Sequence, residues 1–227
     1  MTKTRLLVSL SSFLNYSSYH RYKKAVQANN SMLYLFVACL GASLIIQNND
    51  LQIVISTVGF LLLIVYSFRD YWIEAKKRKM ASISSDVKRN LGLVSKKVNL
   101  YDGIYFEGGR ESIELSLFKD YSLIGAFFKM LKGNFGKGKT ILLDKLAVDQ
   151  VKDIKAYVEM LKESKQFVVY ATMTSSMASQ LKKEGLTLKS MPRKYVTKPG
   201  RMNACANGVC RFPWKAPAFN AYMITEG

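Results

Sequence analysis

The segments Met32–Gln47 (MLYLFVACLGASLIIQ) and Leu51–Phe68 (LQIVISTVGFLLLIVYSF), parted only by Asn48, Asn49 and Asp50, decide how the rest of this chain is read. Between Ala25 and Phe68 the single charged residue is Asp50. Two apolar helical runs joined by a short turn of side-chain acceptors predict a pair of transmembrane helices. The alternative, a buried hairpin in a soluble protein, normally shows a polar stripe, and neither run has a charged residue on any face.

Working outward, Lys3, Arg5, Arg21, Lys23 and Lys24 precede the hairpin without an acid, and Arg69, Lys76, Lys77, Arg78 and Lys79 follow it beside Asp70 and Glu74. This excess of bases on both flanks predicts that both termini lie in the cytoplasm. The apolar run starts too late for a cleavable signal peptide, so the hairpin is expected to be retained. Arg5 to Tyr16 reads as an interfacial amphipathic helix or a short tail. The first run would make only about 24 Å of helix against a hydrocarbon core of roughly 30 Å, a mismatch relieved by thinning the bilayer or by oligomerising. The small residues Ala38, Gly41, Ala42, Ser56 and Gly59 allow close helix packing, either within one hairpin or between copies in a homo-oligomer.

The 227 residues divide into a basic N-terminal segment (1–30), the hairpin (31–68), a helical stalk (69–97) and one α/β (α+β) domain with a small mixed sheet (98–227). In the stalk, Tyr71, Trp72, Ala75, Met80, Ile83, Val87 and Leu91 keep helical spacing. A β-hairpin is expected from Gly103–Phe106 through Gly108–Gly109 to Ile113–Phe118, then a helix over Leu123–Leu131 ending at Gly133. Strand TILLDKL, a helix over Asp149–Glu163, strand FVVYATM and a helix over Ser175–Glu184 follow, closed by Gly185. The remainder, with Pro192, Pro199, Pro213 and Pro217, reads as loop ending in a strand over Phe219–Ile224.

Several chemical motifs compete for the domain. GNFGKGKT matches a phosphate-binding loop, with Gly133, Gly138, Lys139 and Thr140 as its phosphate and metal positions, but a helix precedes it and a strand follows, the reverse of what that loop requires. The strand–helix order suits an acetyltransferase, yet no glycine-rich pyrophosphate loop opens the helix at Asp149. His20, the only histidine, stands outside the domain, and Asp102, Glu107, Glu111 and Glu114 fall on turn-like, solvent-facing positions. Cys39, Cys205 and Cys210 make neither a disulfide framework nor a zinc site, so no metal and no cofactor is expected, and the chain is not read as an enzyme. A membrane-anchored acyl- or nucleotide-dependent enzyme is kept as an alternative.

Charge is the stronger signal. From residue 98 onward there are 20 Lys or Arg against 12 Asp or Glu, and Leu186–Thr225 holds seven bases and no acid. Lys189, Arg193, Lys194, Lys198, Arg201, Arg211 and Lys215 are interleaved with aromatics including Trp214, a pattern suited to single-stranded nucleic acid, to anionic lipid or to a partner protein.

RYKKAV, the two apolar runs and IVYSFRDYWIEAKKRKM together resemble the SLATT type of two-helix membrane module and the two-transmembrane effectors encoded beside retron reverse transcriptases. The resemblance spans Tyr19–Leu91. It implies a bacterial inner-membrane effector of antiphage abortive infection, in which the hairpin breaches the bilayer when a reverse transcriptase, nucleic-acid complex or other sensor protein is triggered. A passive inner-membrane interaction protein, such as a conjugative-plasmid entry-exclusion factor, has the same topology and stays open as an alternative.

Overall fold

The computed structural model describes residues 19–104, 110–135, 145–162, 167–210 and 217–226. Two long helices come first: α1, Tyr19–Ile45, and α2, Asn49–Asn90. Both contain windows long and apolar enough to cross a membrane, and those windows are almost entirely uncovered by the rest of the protein. The turn between them is Ile46–Asn48, two residues earlier than the Asn48–Asp50 trio, because α1 ends at Ile45 and Asn49 and Asp50 already belong to α2. Asn48 caps that helix, its Oδ1 accepting from the Leu51 amide at 3.1 Å. The stalk is the uninterrupted continuation of α2 to Asn90, after which Gly92, at φ +69°, turns the chain.

The chain folds as two compact units, Arg21–Ala81 and a second containing His20 and Ser82–Gly227. In the first, α1 and α2 run antiparallel and touch where Gly59 faces Cys39. A Cβ added at Gly59 would lie 3.2 Å from Cys39 Cβ. Gln52 Nε2 donates to the Ser43 carbonyl at 2.9 Å near the turn, and Asn29 Nδ2 reaches Asp70 Oδ1 at 3.5 Å at the other end.

The second unit is an α+β domain around a mixed five-stranded sheet. Its strands are β1 (Asn99–Asp102), β2 (Glu111–Ser116), β3 (Phe167–Thr174), β4 (Leu186–Ser190) and β5 (Phe219–Glu226), in the order β1-β2-β3-β5-β4. Among the described strands, β2 and β3 pair parallel and the other three pairs are antiparallel. Among the described residues the domain also has the α-helices α3 (Leu123–Phe135), α4 (Val148–Lys162), α5 (Ser175–Lys183) and α6 (Arg201–Ala206). Antiparallel pairing of β1 with β2 matches the expected hairpin, but its first strand ends at Asp102 instead of starting at Gly103.

Sequence reading also stopped α3 too early. The helix runs through Gly133 to Phe135, since one glycine costs a helix only about 1 kcal/mol. Strand β4 and helix α6 lie in what was read as loop: β4 mixes Leu186 and Leu188 with exposed Thr187 and Lys189, and is held by its ladder to β5. The TILLDKL strand, the Gly108–Gly109 turn and the N-terminal amphipathic segment lie outside the described residues.

Alternation divides the sheet into two unlike faces. One carries Leu100, Ile113, Leu115, Val169, Ala171, Met173, Leu186 and Ile224, all buried, and matches the apolar stripes of α4 (Ile154, Tyr157, Val158, Leu161) and α5 (Met177, Ala178, Leu181). Those helices pack on β3, β4 and β5. Thr174 caps α5 by accepting from the Met177 amide at 3.3 Å, and Gly185, at φ +89°, ends it. The other face is polar.

Where β1 leaves the sheet, Gly103 is pressed against β2 and β3. A Cβ there would stand 2.3 Å from Ser112 Oγ and 2.7 Å from Tyr170 Cε1. Gly103→Ala is therefore expected to destabilise the domain by about 1–3 kcal/mol, seen as a lowered melting temperature in detergent. Gly200→Ala, whose Cβ meets nothing within 4 Å, should change it far less.

Candidate functional site

The polar face of the sheet is built around a cross-strand row, Tyr101, Glu114, Tyr170 and Met223. Glu114 is 1% exposed, which corrects its assignment to a solvent-facing turn: it sits in the middle of β2, flanked on both sides by paired strands. Tyr170 donates to Glu114 Oε2 at 3.2 Å and accepts from the Ile104 amide at 3.1 Å. Burial, and then the carboxylate of Glu114, raises the Tyr170 phenol well above its ordinary range. Tyr101 is raised too, by burial first and then by Asp120 and Glu114. Both phenols therefore stay protonated at physiological pH.

Above this row lie the first residues of α1. The Tyr19 ring stacks on Tyr101 at 4.5 Å and 9°, its hydroxyl donates to Asp120 Oδ2 at 2.8 Å, and it accepts from Ser116 Oγ at 3.1 Å. Beside it, His20 Nδ1 lies 3.0 Å from Thr197 Oγ1, and the Thr197 amide donates to Thr172 Oγ1 at 2.9 Å. His20 is thus part of the domain, contrary to the sequence reading that placed it outside. A lone histidine ahead of a membrane segment carries no signal of the sheet it docks on.

The far end of α2 is fixed in the same domain. Ser84 Oγ accepts from the Leu100 amide at 3.0 Å, and Val87 and Leu91 are buried. Beyond the Gly92 turn, Asp153 of α4 accepts from the amides of Val94 and Ser95 at 3.1 and 2.6 Å. Both helices of the hairpin thus continue into segments hydrogen-bonded to the sheet domain.

The sequence-selected residues distribute as follows. Lys189 on β4, Arg193 and Lys194 in a 3₁₀ turn, Lys198, and Arg201 at the start of α6 are all exposed and fall along one continuous stretch of chain. Lys194 Nζ lies 5.0 Å from the centre of the Tyr195 ring. Arg211, Trp214 and Lys215 lie outside the described residues, as do Gly138, Lys139 and Thr140. Gly133 is in the last turn of α3, so this stretch opens as the end of a helix, while phosphate binding uses a helix start.

In the hairpin, Gly59 is buried between the helices, whereas Ala38, Gly41 and Ser56 are exposed and Ala42 is intermediate. Only part of the small-residue set therefore packs inside one hairpin. Among the described residues no group of three His, Cys, Asp or Glu side chains is placed to hold a metal ion. The arrangement is a polar clamp that seats two helix ends on a sheet. Comparison with family models, with curated proteins and with solved structures finds no match to this chain.

The clamp has a measurable strength. Tyr170→Phe deletes the acceptor for the buried Ile104 amide and the donor to Glu114, and is expected to cost about 1–3 kcal/mol. Thermal melting of the detergent-solubilised protein, followed by tyrosine and tryptophan fluorescence, reads the loss.

Proposed function

We propose that this protein is an inner-membrane effector of the antiphage, abortive-infection type. In this reading its helical hairpin crosses the bilayer with both ends in the cytoplasm, and its α+β domain governs the hairpin by binding a nucleic-acid partner or a sensor protein that carries one. The supporting observation is the uncovered apolar belt. Leu35, Val37, Leu44, Ile45, Ile53, Val54, Phe60, Leu61 and Phe68 are each more than half exposed, from 56% at Leu35 to 85% at Leu44. Leaving so many large apolar side chains in water would forfeit on the order of 20 kcal/mol, more than a domain's whole stability, so lipid is their natural cover. Basic flanks orient the hairpin. The exposed bases Lys189, Arg193, Lys194, Lys198 and Arg201, with Tyr195 among them, supply phosphate contacts and an aromatic face. The likeness to two-transmembrane retron effectors carries the antiphage role.

Two measurements test the two halves separately. Alkaline phosphatase inserted between Asn48 and Asn49 should be active, while fluorescent-protein fusions at either terminus should glow, and the protein should resist carbonate extraction. Release into the soluble fraction, or an active phosphatase at a terminus, overturns the membrane reading. With topology established, induced expression should collapse the membrane potential reported by a voltage-sensitive dye and stop growth. Cells that stay polarised without any partner present overturn the effector reading alone.

The basic stretch is tested with the purified protein in neutral nanodiscs and a labelled single-stranded oligonucleotide. Lys189→Glu, Lys194→Glu and Lys198→Glu combined should weaken binding at least tenfold and flatten its salt dependence. Loss of binding to anionic nanodiscs, with oligonucleotide affinity unchanged, would make lipid the ligand instead.

A further inference from the structure

Helix α6 ends in a turn that brings two thiols together. In a continued helix, residues five apart point to different sides and are about 7.5 Å apart along the axis. Here the sequence Cys205-Ala206-Asn207-Gly208-Val209-Cys210 reverses at Gly208, which takes φ +77°. The Gly208 amide donates to the Cys205 carbonyl at 2.9 Å and the Val209 amide to the Ala204 carbonyl at 3.0 Å, the paired bonds of a Schellman C-cap. That closure folds Cys210 back over the last turn. Its Sγ lies 3.1 Å from Cys205 Sγ, inside the roughly 3.5–4.0 Å of an ordinary heavy-atom contact and about 1 Å beyond a sulfur–sulfur bond.

The turn is held from outside as well. Asn207 exchanges hydrogen bonds with Lys119, Nδ2 donating to its carbonyl at 2.9 Å and Oδ1 accepting from its amide at 2.9 Å. Asn203 does the same with Tyr121, at 3.2 and 2.9 Å. Two side-chain amides thus fasten α6 to the segment containing Asp120, the acceptor for Tyr19. With the backbone fixed on both sides, the sulfurs meet without any rearrangement of the domain.

We propose that Cys205 and Cys210 form a redox-active dithiol that closes reversibly into an intrachain disulfide when the protein meets a peroxide. Their exposure divides the roles. Cys205 is partly exposed and reachable by a small oxidant, whereas Cys210 is buried, its thiol pushed up to about 12 by burial and by the neighbouring Cys205. The Cys205 sulfur attacks one peroxide oxygen, the O–O bond breaks, and a sulfenic acid forms as one water leaves. Cys210 Sγ then attacks the Cys205 sulfur. The S–S bond forms, the S–OH bond breaks, and the hydroxyl departs as a second water with the Cys210 proton. Two electrons pass from the sulfurs to the peroxide, so two thiols and one peroxide give one disulfide and two waters. A cytoplasmic dithiol reverses the bond by exchange.

The test uses the full-length protein in detergent micelles, treated with hydrogen peroxide, then denatured and alkylated. Of its three thiols, two should be lost in the treated sample, with the monomer mass lower by two hydrogens before alkylation and all three thiols recovered after dithiothreitol. Peptide mapping should place the link between Cys205 and Cys210, which requires no variant to fold. Cys39→Ser should leave the oxidation unchanged, and Cys205→Ser or Cys210→Ser should abolish it. Three alkylated thiols under peroxide that fully consumes a free-cysteine control, a link involving Cys39, or disulfide-joined dimers alone would each overturn the proposal.

Discussion

The constraint on which this structure depends is a mismatch of cover: the protein makes more apolar surface than it can bury. In the domain, β-strands and helices hide their leucines and valines against one another, and Leu100, Leu115, Ile154 and Ile224 retain almost no exposure. The hairpin has only its own partner helix, and two helices shield little more than the seam between them. Gly59 against Cys39 marks that seam, while the leucines and phenylalanines on the outer sides stay bare. The first unit is therefore left with a bare apolar surface and the second with a covered core. Everything about the chain's organisation follows from joining them.

The join is made with polar groups, a choice that has a physical logic. Where α1 and α2 enter the domain, Tyr19, His20 and Ser84 engage hydroxyls, a carboxylate and a backbone amide. Apolar contact alone tolerates sliding; a buried hydrogen bond does not, because a lost partner leaves an unsatisfied group at a cost of about 1–3 kcal/mol. Within the second unit these bonds hold Tyr19, His20 and Ser84 to the domain. Burial raises both phenols of the polar sheet face, Tyr101 and Tyr170, and the Tyr170 hydroxyl both donates to Glu114 and accepts from the Ile104 amide.

The polar groups of this face are brought together by strand pairing and not by local sequence pattern. Glu114 looked like a turn residue because it stands five positions after the Gly108–Gly109 pair, yet strand pairing on both sides buries it. His20 looked isolated because its partner, Thr197, is 177 residues away. The Cys205 and Cys210 pair looked ordinary because it falls in a stretch that reads as loop and lacks the further ligands a zinc site needs. Only the left-handed Gly208 turn reunites them.

What the sequence by itself determined were the properties carried by local pattern: the uninterrupted apolar runs that form α1 and α2, the continuation of α2 toward Leu91, the β1–β2 hairpin, helices α4 and α5, strand β3 and the surplus of bases after Leu186. Hydropathy, periodicity and caps act over a few residues, so they are written where they operate. Tertiary structure decided the order β1-β2-β3-β5-β4, the ladder that makes a strand of β4, the burial of Glu114, and the seating of Tyr19 and His20 on the sheet. These depend on pairings between residues tens to hundreds of positions apart, whose free energy exists only once the chain has closed on itself.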